Sequence, residues 1–197
     1  MKIKKVNPGA AVLNFFAEAG LLKKVKRSGW WVAGIKDPES VAEHSFRTAV
    51  IGLYLADLEG ADPFKVTTMA LFNDIHESRI NDLHKMGHYY IDFKDAEKRA
   101  FADQMKLLDK KFKIRLTALR GEYDHQSSRE SVIARDADIL ECLLQAKEYY
   151  DNGYTGAKLF FVRAPRHLKT KSARALWRQI RRWDSNLWWQ NVVKFQR

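Results

Sequence analysis

The sequence has few of the residues that form cross-linked or loop-rich proteins. Its 197 residues include one cysteine, Cys142, with only 10 glycines and 4 prolines. A lone cysteine excludes a disulfide framework and favours a reducing compartment, so we expect a cytoplasmic protein. No apolar run approaches the roughly 18 residues of a transmembrane helix. Because 46% of the residues are apolar, the chain can form one hydrophobic core, and we expect a single domain.

Acidic residues are also few compared with basic ones. There are 24 Asp and Glu against 35 Lys and Arg, which gives a formal net charge of +11. Eleven of the basic residues follow Asn152, where Asp184 is the only acid. Such a surface attracts the phosphates of nucleotides, nucleic acids or lipids, but it is also typical of a solvated helix face.

Helix-forming patterns recur along the chain. Asp37-Pro38 and Asp62-Pro63 each place an N-cap residue before a proline at the first helical position, which predicts helices over about 38–58 and 63–78. Apolar residues at helical spacing predict further helices over about 10–25, 93–112, 127–150 and 155–162, and one from about 171 onward. Residues 29–34 are a candidate for extended structure. Since no alternating strand pattern is found, the sequence predicts an all-α bundle.

Three ionisable residues lie in separate helix-like segments, namely His44, Asp74 and Asp138. Each is followed about one turn later by another charged residue, which is Arg47, Glu77 or Glu141 respectively. Acids in apolar helix stretches are costly to bury unpaired, so each is expected to be exposed, paired or metal-bound. Dispersed His and Asp side chains on helices are suitable ligands for a divalent metal. A solvated or salt-bridged role stays open for each residue taken alone.

Two other histidine patterns give weaker indications of a metal site. His76-Glu77 begins like the zinc-protease helix motif, but the fifth residue is Ile80 rather than histidine, so that function is excluded. His84 and His88 are four residues apart and could chelate a metal, although they fall in a predicted loop over 81–90.

Three segments together resemble the HD-domain 5′-deoxynucleotidase family. They are RSGWWVAGIKDPESVAEHSFRTAV from Arg27, ALFNDIHESRINDLH from Ala70 and RDADILECLLQAKEYYDNG from Arg135. The middle segment occupies the place of the family pattern HDxxE followed by GD. The order and spacing match over about residues 10–183. The resemblance implies one HD domain over residues 1–197, a helical bundle with a core at about 10–183 and a basic C-terminal helix.

The resemblance also implies a metal site. The family holds a divalent cation with His, His-Asp and Asp, and His44, Asp74 and Asp138 match three of these positions. Asn73 stands where the second histidine is expected. Its neutral amide oxygen is a poorer transition-metal ligand than imidazole. The implied ligand set is therefore His44, Asn73, Asp74 and Asp138, for cobalt, manganese or another transition metal.

Further roles follow from the same resemblance. Glu77 matches the catalytic acid of the HDxxE pattern, and Asp82 matches the Asp of the GD pair, in which Asn81 replaces glycine. The positions that correspond to the family's substrate-binding residues are Arg27, Trp30 and Arg47.

The implied function is a 5′-deoxynucleotidase that releases phosphate from deoxynucleoside 5′-monophosphates, usually as a homodimer. Asn73 motivates one alternative, a degenerate HD protein that binds a nucleotide or phosphate without turnover. The basic C-terminal region motivates another, a nucleic-acid-binding protein. Because that region has helical apolar spacing, we expect a packed helix there and not a nucleic-acid surface. The expected partner is therefore the nucleoside monophosphate substrate that the resemblance implies. No membrane partner is expected.

Overall fold

The computed structural model describes residues 8–191. Over these residues the chain forms helices and no β-strand, so the all-α prediction is confirmed. The α-helices in this range are α1 (Pro8–Leu21), α2 (Val41–Glu59), α3 (Pro63–Phe72), α4 (Glu77–Ile80), α5 (Lys85–Tyr90), α6 (Phe93–Met105), α7 (Lys110–His125), α8 (Arg129–Asp151), α9 (Lys158–Arg163) and α10 (Lys171–Ile180). None of them is long and apolar enough to cross a bilayer.

The centre of the bundle is formed by α2, α3 and α8, which pack against one another. Leu55 of α2, Val66 of α3 and Ile133 of α8 are fully buried in the largest apolar cluster. Helix α10 packs against the outer side of α8, with Ala173 in the same cluster. Polar residues on α2 and α8 that lie at this interface are therefore held close together and away from solvent.

The start of α2 differs from the prediction. The helix begins at Val41 and not at Pro38, because Ser40 is the N-cap. The Ser40 hydroxyl accepts a hydrogen bond from the Glu43 amide, and the Glu43 carboxylate accepts one from the Ser40 amide. This capping box satisfies two free donors of the first turn, which Asp37-Pro38 does not. The cap predicted at Asp62 is present at the start of α3.

Other predicted boundaries are also wrong. The helix expected over 63–78 ends at Phe72, and α4 follows as a separate short helix. The helix expected over 93–112 is two helices, since Asp109 accepts a hydrogen bond from the Phe112 amide and caps α7. Helix α5 occupies part of the predicted loop over 81–90. Residues 28–33 form a 3₁₀ turn and not an extended segment.

Asn81 has a backbone conformation that is rare for any residue other than glycine. It ends α4 with φ 62° and ψ 165°, a region in which a side chain is strained. This conformation directs the chain so that Asp82 faces Ser28, which donates to its carboxylate. Glycine, the residue that the resembled pattern has at this position, adopts such a conformation without strain.

We expect Asn81→Gly to raise the free energy of unfolding by about 1 kcal/mol, because glycine adopts this conformation without strain. Urea denaturation measures the change. The matched control is Asn14→Gly in the interior of α1, which should lower the free energy of unfolding by about 0.3 kcal/mol, because glycine is a poorer helix former than asparagine. A loss of stability in both variants would contradict the argument.

Candidate functional site

His44 lies at the centre of a buried ionisable cluster. It is on α2 and only 1% exposed. Its Nε2 atom lies 3.1 Å from Oδ1 of Asp138 on α8 and 3.5 Å from Oδ2 of Asp74, which follows α3. The structure therefore brings together three residues that lie far apart in the sequence.

The other imidazole nitrogen is held by Glu141. His44 Nδ1 contacts Glu141 Oε2, and the same carboxylate accepts a 3.0 Å hydrogen bond from Arg47 Nε. Glu141 is fully buried. A carboxylate on the far nitrogen orients a metal-binding histidine and makes it a better ligand. The sequence identifies Glu141 as the charged residue one turn after Asp138 but does not predict its contact with His44.

The cluster favours a positive charge at the Nε2 side of His44. Burial and the charge of Arg27 oppose protonation of His44, but Glu141 and Asp138 raise its pKa to about 10. Burial also opposes ionisation of Asp138, yet the hydrogen bond from His44 and the charge of Arg135 hold its pKa well below the ordinary value. The carboxylates are therefore arranged to stabilise a cation, whether a proton or a metal ion.

The side chains present fit a divalent metal. An imidazole nitrogen and two carboxylates are common ligands of a transition metal. Asn73 lies beside them, with its Nδ2 donating a 2.7 Å hydrogen bond to Asp74 Oδ1, so its amide oxygen could add a neutral donor. Among residues 8–191, the buried Oε2 of Glu77 has no hydrogen-bond partner. An uncompensated buried oxygen next to this cluster is consistent with a missing cation or water.

A second grouping of donor atoms overlaps the first. One atom each from Glu39, His44 and Glu141 lies within 4.8 Å of the others. However, Glu39 accepts a 2.9 Å hydrogen bond from Trp30 Nε1, and His44 Nδ1 is already bound to Glu141. This group is better described as a network that orients the imidazole. The metal position is therefore more consistent with the Nε2 side, near Asp74 and Asp138.

Glu77 and Asp82 lie near the cluster in different environments. Glu77 is 7% exposed, and burial, reinforced by the charges of Asp74 and Asp82, raises its pKa well above the ordinary value. Burial therefore favours the neutral, protonated form of this carboxyl group. The Asp82 carboxylate accepts hydrogen bonds from the Ser28 amide at 3.0 Å and the Ser28 hydroxyl at 2.8 Å.

Arg27 places a permanent positive charge beside the same carboxylates. Its Nη1 lies 3.4 Å from Asp82 Oδ2 and 4.0 Å from Asp74 Oδ2. Burial opposes its charge, but Asp74, Asp82 and Asp138 hold its pKa well above the ordinary value. A charged guanidinium at this place can donate hydrogen bonds to a phosphate group.

Trp30 and Arg47 contact the side chains that surround His44 and do not contact its Nε2 atom. Trp30 is 2% exposed, with its ring centroid 5.2 Å from that of Tyr149 and 4.3 Å from that of Phe160. The Arg47 guanidinium donates to three side chains of α8, namely Glu141, Gln145 and Glu148. These contacts favour positioning roles, and the predicted substrate contacts of both residues stay predictions.

Three other histidines have partners outside the cluster. His76 Nδ1 lies 3.1 Å from Arg120 Nη1, and its Nε2 lies 3.4 Å from Glu97 Oε1. The His84 Nδ1 accepts a hydrogen bond from the Gly87 amide, and His88 Nε2 bonds the Leu83 carbonyl. Their local contacts give no support to chelation by the 84–88 pair.

The fold and the cluster together define a class, the helical metal-dependent phosphohydrolases. The HD domain family matches residues 19–178 of the chain. The mouse protein 5′-deoxynucleotidase HDDC2 is 31% identical over 152 residues, which cover 77% of this chain and 76% of that protein. The protein of the same name from Dictyostelium discoideum is 32% identical over 145 residues, 70% of this chain and 76% of that one.

Solved structures agree with this assignment. A conserved hypothetical protein from Pyrococcus furiosus superimposes with a TM-score of 0.76 at 29% identity, covering 87% of this chain and 99% of that chain. The chain therefore belongs to the HD-domain family, in its 5′-deoxynucleotidase-like branch. An HD phosphohydrolase domain implies dependence on a divalent metal ion.

Proposed function

We propose that the protein is a phosphomonoesterase that releases phosphate from deoxynucleoside 5′-monophosphates. The observation that carries this proposal is the buried His44 with two carboxylates at its Nε2, beside a charged arginine and a buried glutamic acid whose pKa is raised. The names of the mouse and Dictyostelium relatives support the substrate class.

The proposed mechanism assigns one task to each group. A divalent cation held by His44, Asp74 and Asp138, cobalt or manganese in our proposal, would supply Lewis acidity and lower the pKa of a water. Arg27 binds the phosphate oxygens through its planar fork of donors. Glu77, whose protonated form is favoured by burial, gives its proton to the leaving 5′-oxygen. Asp82 positions Arg27 and takes the proton that the attacking water releases.

A substrate screen tests this function. Protein loaded with cobalt or manganese should release phosphate from deoxynucleoside 5′-monophosphates faster than from 3′-monophosphates, because the leaving oxygen must lie near Glu77 when the phosphate is at Arg27. If metal is bound but no nucleotide is hydrolysed, the alternative of a degenerate binding protein is correct.

We expect Asn73→His to tighten cobalt or manganese binding by about 10-fold or more, since imidazole replaces a neutral amide oxygen next to Asp74. Titration calorimetry measures the affinity, and phosphate release should rise at limiting metal. Asn152→His near the end of α8 is the control and should change neither quantity. Equal affinity in wild type and Asn73→His would mean that residue 73 does not bind the metal.

We also propose that the protein forms a homodimer in the cytoplasm. Phe46, Val50 and Tyr54 lie four residues apart on one face of α2 and are 68%, 52% and 55% exposed. An exposed apolar stripe of this kind is typical of an interface, and the resemblance indicates a second copy as the partner. Sedimentation should show a dimer for the wild type and a monomer for Val50→Asp. A monomeric wild type would contradict the proposal.

A further inference from the structure

A basic cavity lies between the C-terminal half of α8, helix α9 and helix α10. Its volume is about 540 Å³, within the range of roughly 300–1,000 Å³ that small-molecule sites occupy. Its lining includes three cationic and three aromatic side chains, which are Lys147, Lys158, Arg181, Tyr150, Phe161 and Trp177. No acidic residue lines it among the described part of the chain. The cavity therefore favours an anionic ligand with an aromatic group.

This cavity is separate from the metal cluster. Lys147 follows Asp138 by nine residues on α8, which corresponds to about two and a half helical turns. The two side chains are therefore on opposite faces of the helix and about 13 Å apart along its axis. Asp138 faces His44 on α2, whereas Lys147 faces α9 and α10. A ligand here does not compete directly for the groups of the proposed hydrolytic site.

The aromatic wall is fixed by the core. The ring centroid of Phe161 lies 5.7 Å from that of Trp177, with 37° between the planes, and 6.1 Å from that of Tyr150. Phe161 and Trp177 both pack against the main buried cluster of the bundle. Rings held in this way lose little freedom when a flat heterocycle packs on them.

The positive charges are available to a ligand. Lys158 and Arg181 are exposed, and between residues 8 and 191 neither side chain has a hydrogen bond or ion pair. Lys147 is bound to Asp151. Two unpaired cations beside a fixed aromatic wall match the phosphates and the base of one nucleotide.

We propose that this cavity binds a nucleoside triphosphate, with the base on the aromatic wall and the phosphates at Lys158 and Arg181. This function goes beyond the hydrolysis proposed above, since it uses a different face of α8. A single nucleotide fits a pocket of this size better than a nucleic-acid strand, which needs a continuous groove across several nucleotides.

Titration calorimetry with ATP tests the site, in the presence of a chelator so that no divalent cation is bound. The wild type should bind ATP saturably, and the double variant K158A/R181A should bind at least 10-fold more weakly, because both phosphate contacts are lost. The control K111A/R115A removes the same two residue types from exposed positions of α7 and should bind like the wild type. Arg27→Ala, at the proposed hydrolytic site, should also retain ATP binding.

Several results would overturn the proposal. They are an absence of saturable ATP binding, an equal loss in both double variants, and a loss in Arg27→Ala that matches the loss in K158A/R181A. Inorganic triphosphate that binds as tightly as ATP would show that the aromatic wall contributes nothing. Binding of a thymidine decanucleotide without binding of ATP would indicate a nucleic-acid surface instead.

Discussion

Glu77→Gln should remove most of the phosphatase activity and leave the metal bound. The amide has the same shape but no proton of suitable acidity, and general acid–base groups contribute about 10²–10⁴-fold to turnover. Glu77 suits this task because burial and the charge of Asp74 raise its pKa, which favours the protonated form. The measurements are kcat with a deoxynucleoside 5′-monophosphate and the metal content of the purified variant.

Two further variants separate proton transfer from binding. Glu77→Asp keeps a carboxyl group and should retain more activity than the glutamine variant. Arg27→Ala should mainly raise KM, because a phosphate clamp chiefly contributes binding energy. Unchanged kcat in Glu77→Gln would remove this residue from the mechanism, and loss of the metal would assign it to the metal site instead.

The largest expected effect on stability is that of Asp136→Ala, with a loss of about 3–5 kcal/mol in the free energy of unfolding. Asp136 lies on α8 and is fully buried. Its carboxylate accepts hydrogen bonds from the Lys169 amide at 2.9 Å and from the Thr170 amide and hydroxyl at 2.7 Å each. The alanine variant leaves these donors without a partner and loosens the start of α10. Urea denaturation in the presence of a chelator measures the effect.

The controls for this variant differ in what they preserve. Asp136→Asn keeps one carbonyl acceptor and should lose less stability than the alanine variant. Asp57→Ala, at an exposed position of α2, should change the free energy of unfolding by no more than about 0.5 kcal/mol. If Asp136→Ala and Asp57→Ala lower the free energy of unfolding by the same amount, the buried carboxylate of Asp136 does not stabilise the start of α10.

The existence of most helices was predictable, but several of their ends were not. Periodic apolar residues fix the buried face of α2 and α8, and these helices are present as expected. Their ends depend on individual hydrogen bonds. Ser40 caps α2 in place of Asp37, and Asp109 interrupts what periodicity alone presents as one helix. A cap competes with its neighbours by fractions of a kcal/mol to about 2 kcal/mol, which a residue pattern does not resolve.

For the candidate site, the sequence predicted which residues lie together but not how the surrounding side chains contact them. Residue type and motif spacing singled out His44, Asp74 and Asp138, and the structure places them together. The burial of Trp30 and the contacts of Arg47 with α8 were not predictable, because they depend on how distant helices pack. The assignment of ligand and catalytic roles stays a prediction that the proposed experiments test.

The hydrogen bonds that hold the candidate site together join segments far apart in the chain, which affects when the site forms during folding. His44 and Glu141 are 97 residues apart in the chain, and Ser28 and Asp82 are 54 apart. Closing such long loops costs entropy before the contact returns any energy, and structures rich in distant contacts form slowly. Individual helices depend only on local hydrogen bonds. Helical content and catalytic competence therefore depend on different contacts, the first on local hydrogen bonds and the second on the late pairing of distant segments.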